Sequence, residues 1–317
     1  KGWKQFKRWE NFISPRVYPD GILRPEILFQ EYNKLENYSN SKLLPTNTWS
    51  QVGPDNVPIQ SNGDKRGIGR VNTVAFHPTD PNTLYIGAPA GGFWKSNDGG
   101  QSWVSSTDFL TNLGVSDIAI NPNNPDEIYV ITGDRDGGDT YSFGLLKSLD
   151  GGNTFNTTGL SFNIINQYKG NRVLIDPTNV DVLVVATSNG IYRSVDAGVT
   201  FNHTFTGINM TDIEFHTTNS SIIYGASNGN TSIYKSIDNG VTWIQSGSGL
   251  PSTNNVVRAC VAVTVDNPQV VYALFGGNDD TDNSGIIDEE EHHIGREYLA
   301  RKFYEEANEY TQRKTRN

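Results

Sequence analysis

From about Trp49 onward the chain alternates short apolar and polar positions between clusters of Gly, Asn, Asp and Pro. Two-residue alternation punctuated this closely is the pattern of short, half-buried strands joined by tight turns. The segments "VNTVAFHPTDPNTLYIG", "VSDIAINPNNPDEIYVI", "RVLIDPTNVDVLVVA" and "DIEFHTTNSSIIYGA" each read as strand, turn, strand, and "RACVAVTVDNPQVVYALFGG" opens a fifth pair. A further hairpin follows each of the first four, at "KSNDGGQSW", "KSLDGGNTF", "RSVDAGVTF" and "KSIDNGVTW", with starts 52, 46 and 42 residues apart. Units of about 40 to 50 residues, each with about four strands, predict a β-propeller, whose blades bury their faces only against neighbouring blades. The expected fold is therefore all-β, with four full blades and part of a fifth over residues 46–287.

The two ends follow a different period. Trp3, Phe6, Trp9, Phe12 and Ile13 fall on one helical stripe, and Pro25 stands where a first helical turn tolerates it, so residues 1–45 are expected to form an N-terminal helical extension. At the other end Leu299, Phe303, Ala307 and Tyr310 are helically spaced in a highly charged stretch, which predicts a C-terminal helix over 288–317, or a tail of other origin.

The repeated hairpin has its own chemistry. A short turn needs side-chain acceptors for its backbone N–H groups, which Ser and Asp supply, and glycine where φ is positive. The matching residues are Ser96, Asp98, Gly100 and Trp103; Ser148, Asp150, Gly152 and Phe155; Ser194, Asp196, Gly198 and Phe201; and Ser236, Asp238, Gly240 and Trp243. This SxDxGxTW pattern resembles the Asp-box, or BNR, repeat of sialidases, xyloglucan-degrading glycosidases, sortilin-type VPS10 receptors and photosystem-assembly propellers. The resemblance implies that the four Asp residues are structural and lie away from the functional face. "KGWKQFKRWENFISPRVYPDG", "GRVNTVAFHPTDPNTLYIGAPAGGFWKS" and "GDRDGGDTYSFGLLKSLDGG" further resemble large secreted Bacteroidota proteins, often exported by type IX secretion, which implies a secreted or cell-surface location.

Composition narrows the classes of partner. A net charge of -10 without a Lys/Arg-rich run argues against nucleic acid. No apolar run is long enough to span a bilayer, and the single Cys260 in an apolar strand reads as a small hydrophobe. No HExxH, CxxC pair, GxSxG or strand-linked GxGxxG is present, so no organic cofactor is expected.

Three groups of residues are candidates for function. The enlarged loop between the second and third strands of blade two brings Asp134, Asp136, Asp139 and Tyr141 to the face opposite the Asp boxes, where they suit a protein or polysaccharide ligand or form only a solvated glycine-rich hairpin. Thr73, Asp117, Arg172 and Asp212 share one repeat position on the first strands, which line the channel; they grip a ligand there or, the preferred reading, neutralise one another as a structural ring. Finally, "DTDNSGIIDEEE" matches a calcium-loop spacing, with Asp280, Asp282, Ser284, Ile286 (through its carbonyl), Asp288 and Glu291 as candidate Ca2+ ligands of a half EF-hand.

Catalysis is less legible. The resemblance to sialidases implies a Tyr/Glu pair and an Arg-Ile-Pro motif, neither of which is recognisable. The resemblance to xyloglucanases implies an early Asp before a Gly-Gly and an aromatic residue, where this chain has Pro89 and Ala90 in "GAPAGGFWKS". The leading expectation is thus a non-enzymatic recognition propeller. A glycoside hydrolase, xyloglucanase-like or sialidase-like, is the alternative, and a structural spacer in a surface protein is the third reading.

Overall fold

The computed structural model describes residues 69–108, 110, 112–136, 140–228, 232–246 and 256–277, the backbone of 301–304, and the isolated residues Lys7, Glu10, Ser14 and Val17. Lys7 and Glu10 have helical backbone and form an ion pair.

The expected blades are present as antiparallel sheets. Blade one comprises β1 (Thr73–Phe76), β2 (Leu84–Ala88), β3 (Gly92–Ser96) and β4 (Val104–Ser105); blade two, β5 (Val115–Ile120), β6 (Ile128–Thr132), β7 (Gly144–Ser148) and β8 (Asn156–Ser161). Blade three comprises β9 (Gly170–Ile175), β10 (Leu183–Thr187), β11 (Gly190–Ser194) and β12 (Asn202–Thr206); blade four, β13 (Met210–Phe215), β14 (Ile223–Ser227), β15 (Ser232–Ser236) and β16 (Ile244–Ser246). Each of these four sheets runs in sequence order, first strand to fourth. The fifth contains β17 (Val256–Val263), β18 (Val270–Gly277) and β19 (Arg301–Tyr304).

β19 corrects one expectation. The spacing of apolar residues predicts a helix over 301–304, but these residues pair antiparallel with β18, Val270 opposite Tyr304 and Ala273 opposite Arg301. Helical spacing of a few apolar residues is a weak preference. The open hydrogen-bonding edge of β18 offers a third-strand slot that every other blade fills, and tertiary pairing outweighs it. The rest of 288–317 lies outside the described residues.

Register shows how regular the repeat is. Thr73, Asp117, Arg172 and Asp212 each face the residue 14 positions later, Gly87, Ile131, Ala186 and Ala226. The core is divided among the interfaces between blades. One cluster joins Tyr85 and Phe93 to Ile118 and Val130; the next joins Tyr129 and Leu145 to Val173 and Val185. A third joins Val184 and Ile191 to Ile213 and Ile223, and a fourth joins Tyr224 and Ile233 to Val261 and Val271. The central second strands β6, β10 and β14 are buried along their whole length, because both of their faces are covered by a neighbouring blade.

The Asp boxes fold as their chemistry requires. Ser96, Ser148, Ser194 and Ser236 each donate from Oγ to the Asp two residues on, at 2.7 to 2.8 Å, and accept from the Gly N–H two further on, at 2.8 to 3.0 Å. Asp98, Asp150, Asp196 and Asp238 also accept the backbone N–H of Ser102, Thr154, Thr200 and Thr242 at 2.8 to 2.9 Å. The hydroxyls of those same four residues donate to the second carboxylate oxygen. The box glycines have φ between 84° and 89°, the left-handed region that side chains disfavour. Hydrogen bonds from Ser102, Thr154 and Thr200, then Ser96, Ser148 and Ser194, hold the Asp98, Asp150 and Asp196 carboxyls down at about 2.

A second, unforeseen device links the blades. The Lys or Arg that opens each of the first three box motifs reaches the following blade's box: Lys95 Nζ donates to Gly151 O at 3.0 Å, Lys147 Nζ to Ala197 O at 3.3 Å, and Arg193 Nε to Asn239 O at 2.7 Å. The acceptors Gly151, Ala197 and Asn239 have φ of 69°, 55° and 58°, which turns their carbonyls outward to the preceding blade. His77 and His216 accept backbone N–H groups in the turns after β1 and β13 through Nδ1, at 3.0 Å from Asp80 and 3.2 Å from Thr218, so both serve turn chemistry.

Candidate functional site: the channel mouth

First strands β1, β5, β9, β13 and β17 run side by side around the channel, and the first four each carry one residue of the predicted ring. The fifth member, by the register of the β17–β18 turn, is the half-buried Cys260. The ring is held by bonds that pass from blade to blade. Thr73 Oγ1 donates to Asp117 Oδ1 at 2.9 Å, Val173 N to Asp117 Oδ2 at 3.0 Å, and Val261 N to Asp212 Oδ2 at 3.0 Å. Arg172 lies between the two acids, its Nε 3.6 Å from Asp117 Oδ2 and 3.6 Å from Asp212 Oδ1, and its Nη2 pairs with Glu214, two residues further along β13. Neighbouring polar residues add to the lacing: Asn72 Nδ2 donates to Val115 O at 3.0 Å, and Asn171 Nδ2 to Met210 O at 2.6 Å.

The electrostatics follow from burial. Burial pulls Arg172 down, but Asp117, Glu214 and Asp212 outweigh it and leave its pKa raised. Glu214 is pushed up to about 7 by burial; Arg172 opposes this, while Asp212 and Asp117 add to it. Burial likewise raises Asp212 against the pull of Arg172. Arg135 is lowered by burial, with Asp117 opposing and Arg258 and Arg172 reinforcing.

The enlarged loop of blade two folds over the mouth. Asp134 is enclosed and paired with Arg70, and its Oδ1 accepts from Asp136 N at 3.1 Å. Arg135 donates through Nη2 to Asn72 O in blade one, while Asp136 pairs with Arg258 of β17. Thr140 Oγ1 donates to Pro89 O at 2.7 Å, tying the loop to the corresponding turn of blade one. Gly114 permits this approach, since a Cβ there would fall 1.9 Å from Thr140 Oγ1. Tyr141 takes part through its carbonyl, which accepts from Asn112 Nδ2.

The structure therefore joins two of the predicted groups into one site. Asp117, Arg172 and Asp212 form its floor, and Asp134, Arg135 and Asp136 its cover. Beside Thr73, Asp117 and Arg172 a cleft of about 360 Å3 runs along the channel toward Pro122 and Pro177. Sequence reasoning missed Glu214, Arg135 and Arg258. Glu214 was visible in principle, two residues after Asp212 on the same strand face. Arg258, which reaches a loop 122 residues earlier, carried no local signal.

Asp139 and the calcium-loop residues Asp280, Asp282, Ser284, Ile286, Asp288 and Glu291 lie outside the described residues. Among the described residues no group of three or more His, Cys, Asp or Glu side chains is arranged to hold a metal ion, and no helix is long and apolar enough to cross a membrane.

No family model matches the chain. Curated proteins similar to it are xyloglucanases. The Paenibacillus xyloglucanase is 30% identical over 148 residues, which is 43% of this chain and 14% of that protein. Xyloglucanase Xgh74A of Acetivibrio thermocellus is 29% identical over 160 residues, 47% of this chain and 18% of that protein. Among solved structures, an ancestral GH74 enzyme aligns at 22% identity with a TM-score of 0.54, covering 67% of this chain and 28% of its own. The GH74 xyloglucanase from Xanthomonas campestris aligns at 22% identity and 0.52, covering 66% of this chain and 34% of its own. The chain spans less than a fifth of the two curated relatives, and its likeness to the solved structures is a likeness of fold. The chain is a β-propeller whose sequence relatives include xyloglucanases, which favours the glycoside-hydrolase alternative over a purely non-enzymatic reading.

Proposed function

We propose that this chain forms part of an extracellular, polysaccharide-directed protein of the glycoside-hydrolase kind, and that a β-glucan such as xyloglucan lies across the channel-mouth face. The observation that carries this reading is the 30% identity over 148 residues to a xyloglucanase, on a chain with the same propeller architecture as that enzyme class. The mouth suits such a ligand. Asp136 and Arg258 keep 28% and 38% of their side chains accessible, and paired polar groups of this kind recognise sugar hydroxyls.

Hydrolysis of a glycosidic bond needs two carboxyl groups across the scissile oxygen, about 5 to 9.5 Å apart depending on stereochemistry. Among the described residues at the mouth, Asp117, Asp134, Asp136 and Asp212 are each engaged by an arginine or a backbone N–H. Pro89 stands where the resemblance implies an acid. That specific arrangement favours a second reading, in which this segment supplies substrate-binding surface and the reacting carboxyls come from elsewhere in the protein.

Affinity electrophoresis through xyloglucan gels, together with measurement of new reducing ends, tests both readings. The expected result is retarded migration in xyloglucan and normal migration in mannan, with retardation lost in Asp136→Ala. New reducing ends would favour the first reading, and retardation without them the second. Normal migration in xyloglucan with no reducing ends formed would overturn the assignment.

A further inference from the structure

The mouth-side rim of the junction between blades two and three departs from the repeat. Tyr192 of β11 faces His203 of β12 across the sheet, and the two rings stack with centroids 4.1 Å apart and planes 8° from parallel. The position of His203 is taken by Ser105 in blade one, Thr157 in blade two and Gln245 in blade four, so the scaffold does not require a ring there. Residues 162–169, which connect β8 to β9, extend the stack: the Phe162 ring lies 5.4 Å from that of Tyr192 and 5.5 Å from that of Tyr168, centroid to centroid. His203 is exposed, and Phe162, Tyr168 and Tyr192 are half-buried.

This row of rings adjoins the channel mouth. Ser142 N, at the end of the blade-two loop, donates to Tyr168 O at 2.7 Å, and Phe162 N donates to Phe143 O at 3.0 Å. Amides border the row. Asn189, in the β10–β11 turn that corresponds to the blade-two loop, donates through Nδ2 to Tyr192 Oη at 3.1 Å and accepts at its carbonyl from His203 Nε2 at 3.0 Å. Asn166 and Gln167 stand exposed on the connection, whose single charged residue is Lys169. A β-linked glucan has the matching chemistry. Each pyranose offers a face of C–H groups to the electron-rich face of a ring and a rim of hydroxyls to amides, and it carries no charge.

We propose that the row of Tyr168, Phe162, Tyr192 and His203 is a stacking subsite for a neutral polysaccharide, which receives the chain where it leaves the channel mouth and leads it outward over blade three. The subsite rests on the reading that a glucan lies across the mouth, and it adds a second contact whose contribution depends on the length of the ligand.

Titration calorimetry with polymeric xyloglucan and with its shortest repeating fragment tests this. His203→Ala and Tyr168→Ala should each weaken polymer binding about three- to tenfold while far-UV circular dichroism is unchanged. Neither should alter binding of the fragment, which fills the mouth alone, whereas Asp136→Ala should weaken both ligands. Tyr168→Phe keeps the ring and should bind polymer as the unmodified chain does. Polymer binding that Asp136→Ala weakens and the two ring deletions do not would overturn the subsite and leave the mouth assignment standing. Equal losses on polymer and fragment, or Tyr168→Phe as weak as Tyr168→Ala, would overturn the stacking role. An unmodified chain that binds neither ligand would remove the mouth assignment and the subsite with it.

Discussion

Asp98, Asp150 and Asp196 sit at the surface yet hold their protons only to about 2, because two hydroxyls and a backbone N–H converge on each carboxylate. For Asp238 burial pushes upward, and the bonds from Thr242 and Ser236 outweigh it, leaving its pKa lowered as well. A carboxyl depressed in the folded state adds stability above its unfolded pKa and loses it as the pH falls through the folded value. The Asp196→Asn variant should therefore melt below the unmodified protein at neutral pH, and the gap should close between about 4 and about 2. Thermal denaturation monitored by circular dichroism at several pH values reads it; a gap independent of pH would mean the charge plays no part. Glu214 has the opposite sign. Its folded pKa is raised from 4.5 to about 7, so the protonated form is favoured in the fold and stability drains as pH rises through that window. Relative to the unmodified protein, Glu214→Gln should gain in melting temperature as the pH is raised from 4.5 to about 7, and a difference constant with pH would refute the assignment.

At the scale of the element, the Lys/Arg-to-box bonds explain why the repeat begins with a cation, a feature the motif pattern displays without a reason attached. Lys147 makes three contacts at once: Ala197 O at 3.3 Å, Glu127 Oε1 at 2.7 Å, and the Tyr129 ring at 5.1 Å from its centroid. Its side chain is 22% exposed, so solvent screens part of the gain. Lys147→Met, which keeps the stem, should cost about 1 to 2 kcal/mol in urea denaturation, the worth of a charge-assisted bond at a partly wet site. A cost below about 0.3 kcal/mol would show that the bond is a bystander. The strands and boxes were legible in the sequence because their determinants are local: alternation, turn residues and a glycine at positive φ lie within a few positions of one another. β19 was not, since nothing in Arg301–Tyr304 alone outweighs helical spacing, and its strand form comes from the vacant edge of β18. The channel ring was legible in part. Aligning the repeats finds Asp117, Arg172 and Asp212, whereas the Asp136–Arg258 pair depends on how far a loop folds back across the mouth, which no local pattern encodes.

Among the described residues of the whole molecule, division of the core into four inter-blade clusters makes stability a sum over neighbours, so an interior blade is held by two clusters and a terminal one by a single cluster. Opening free energies should then grade along the array rather than follow secondary structure alone. In hydrogen exchange read by mass spectrometry, amides of the fully buried β6, β10 and β14 should exchange slowest, and those of β1 and β18, whose outer faces carry Phe76 and Tyr272, fastest among the strands. The inter-blade bonds from Asn72 to Val115 and from Val261 to Asp212 tie the end blades to the rest, so their exchange should be local, without exposing the interior strands. Uniform exchange in all five blades would contradict nearest-neighbour stability.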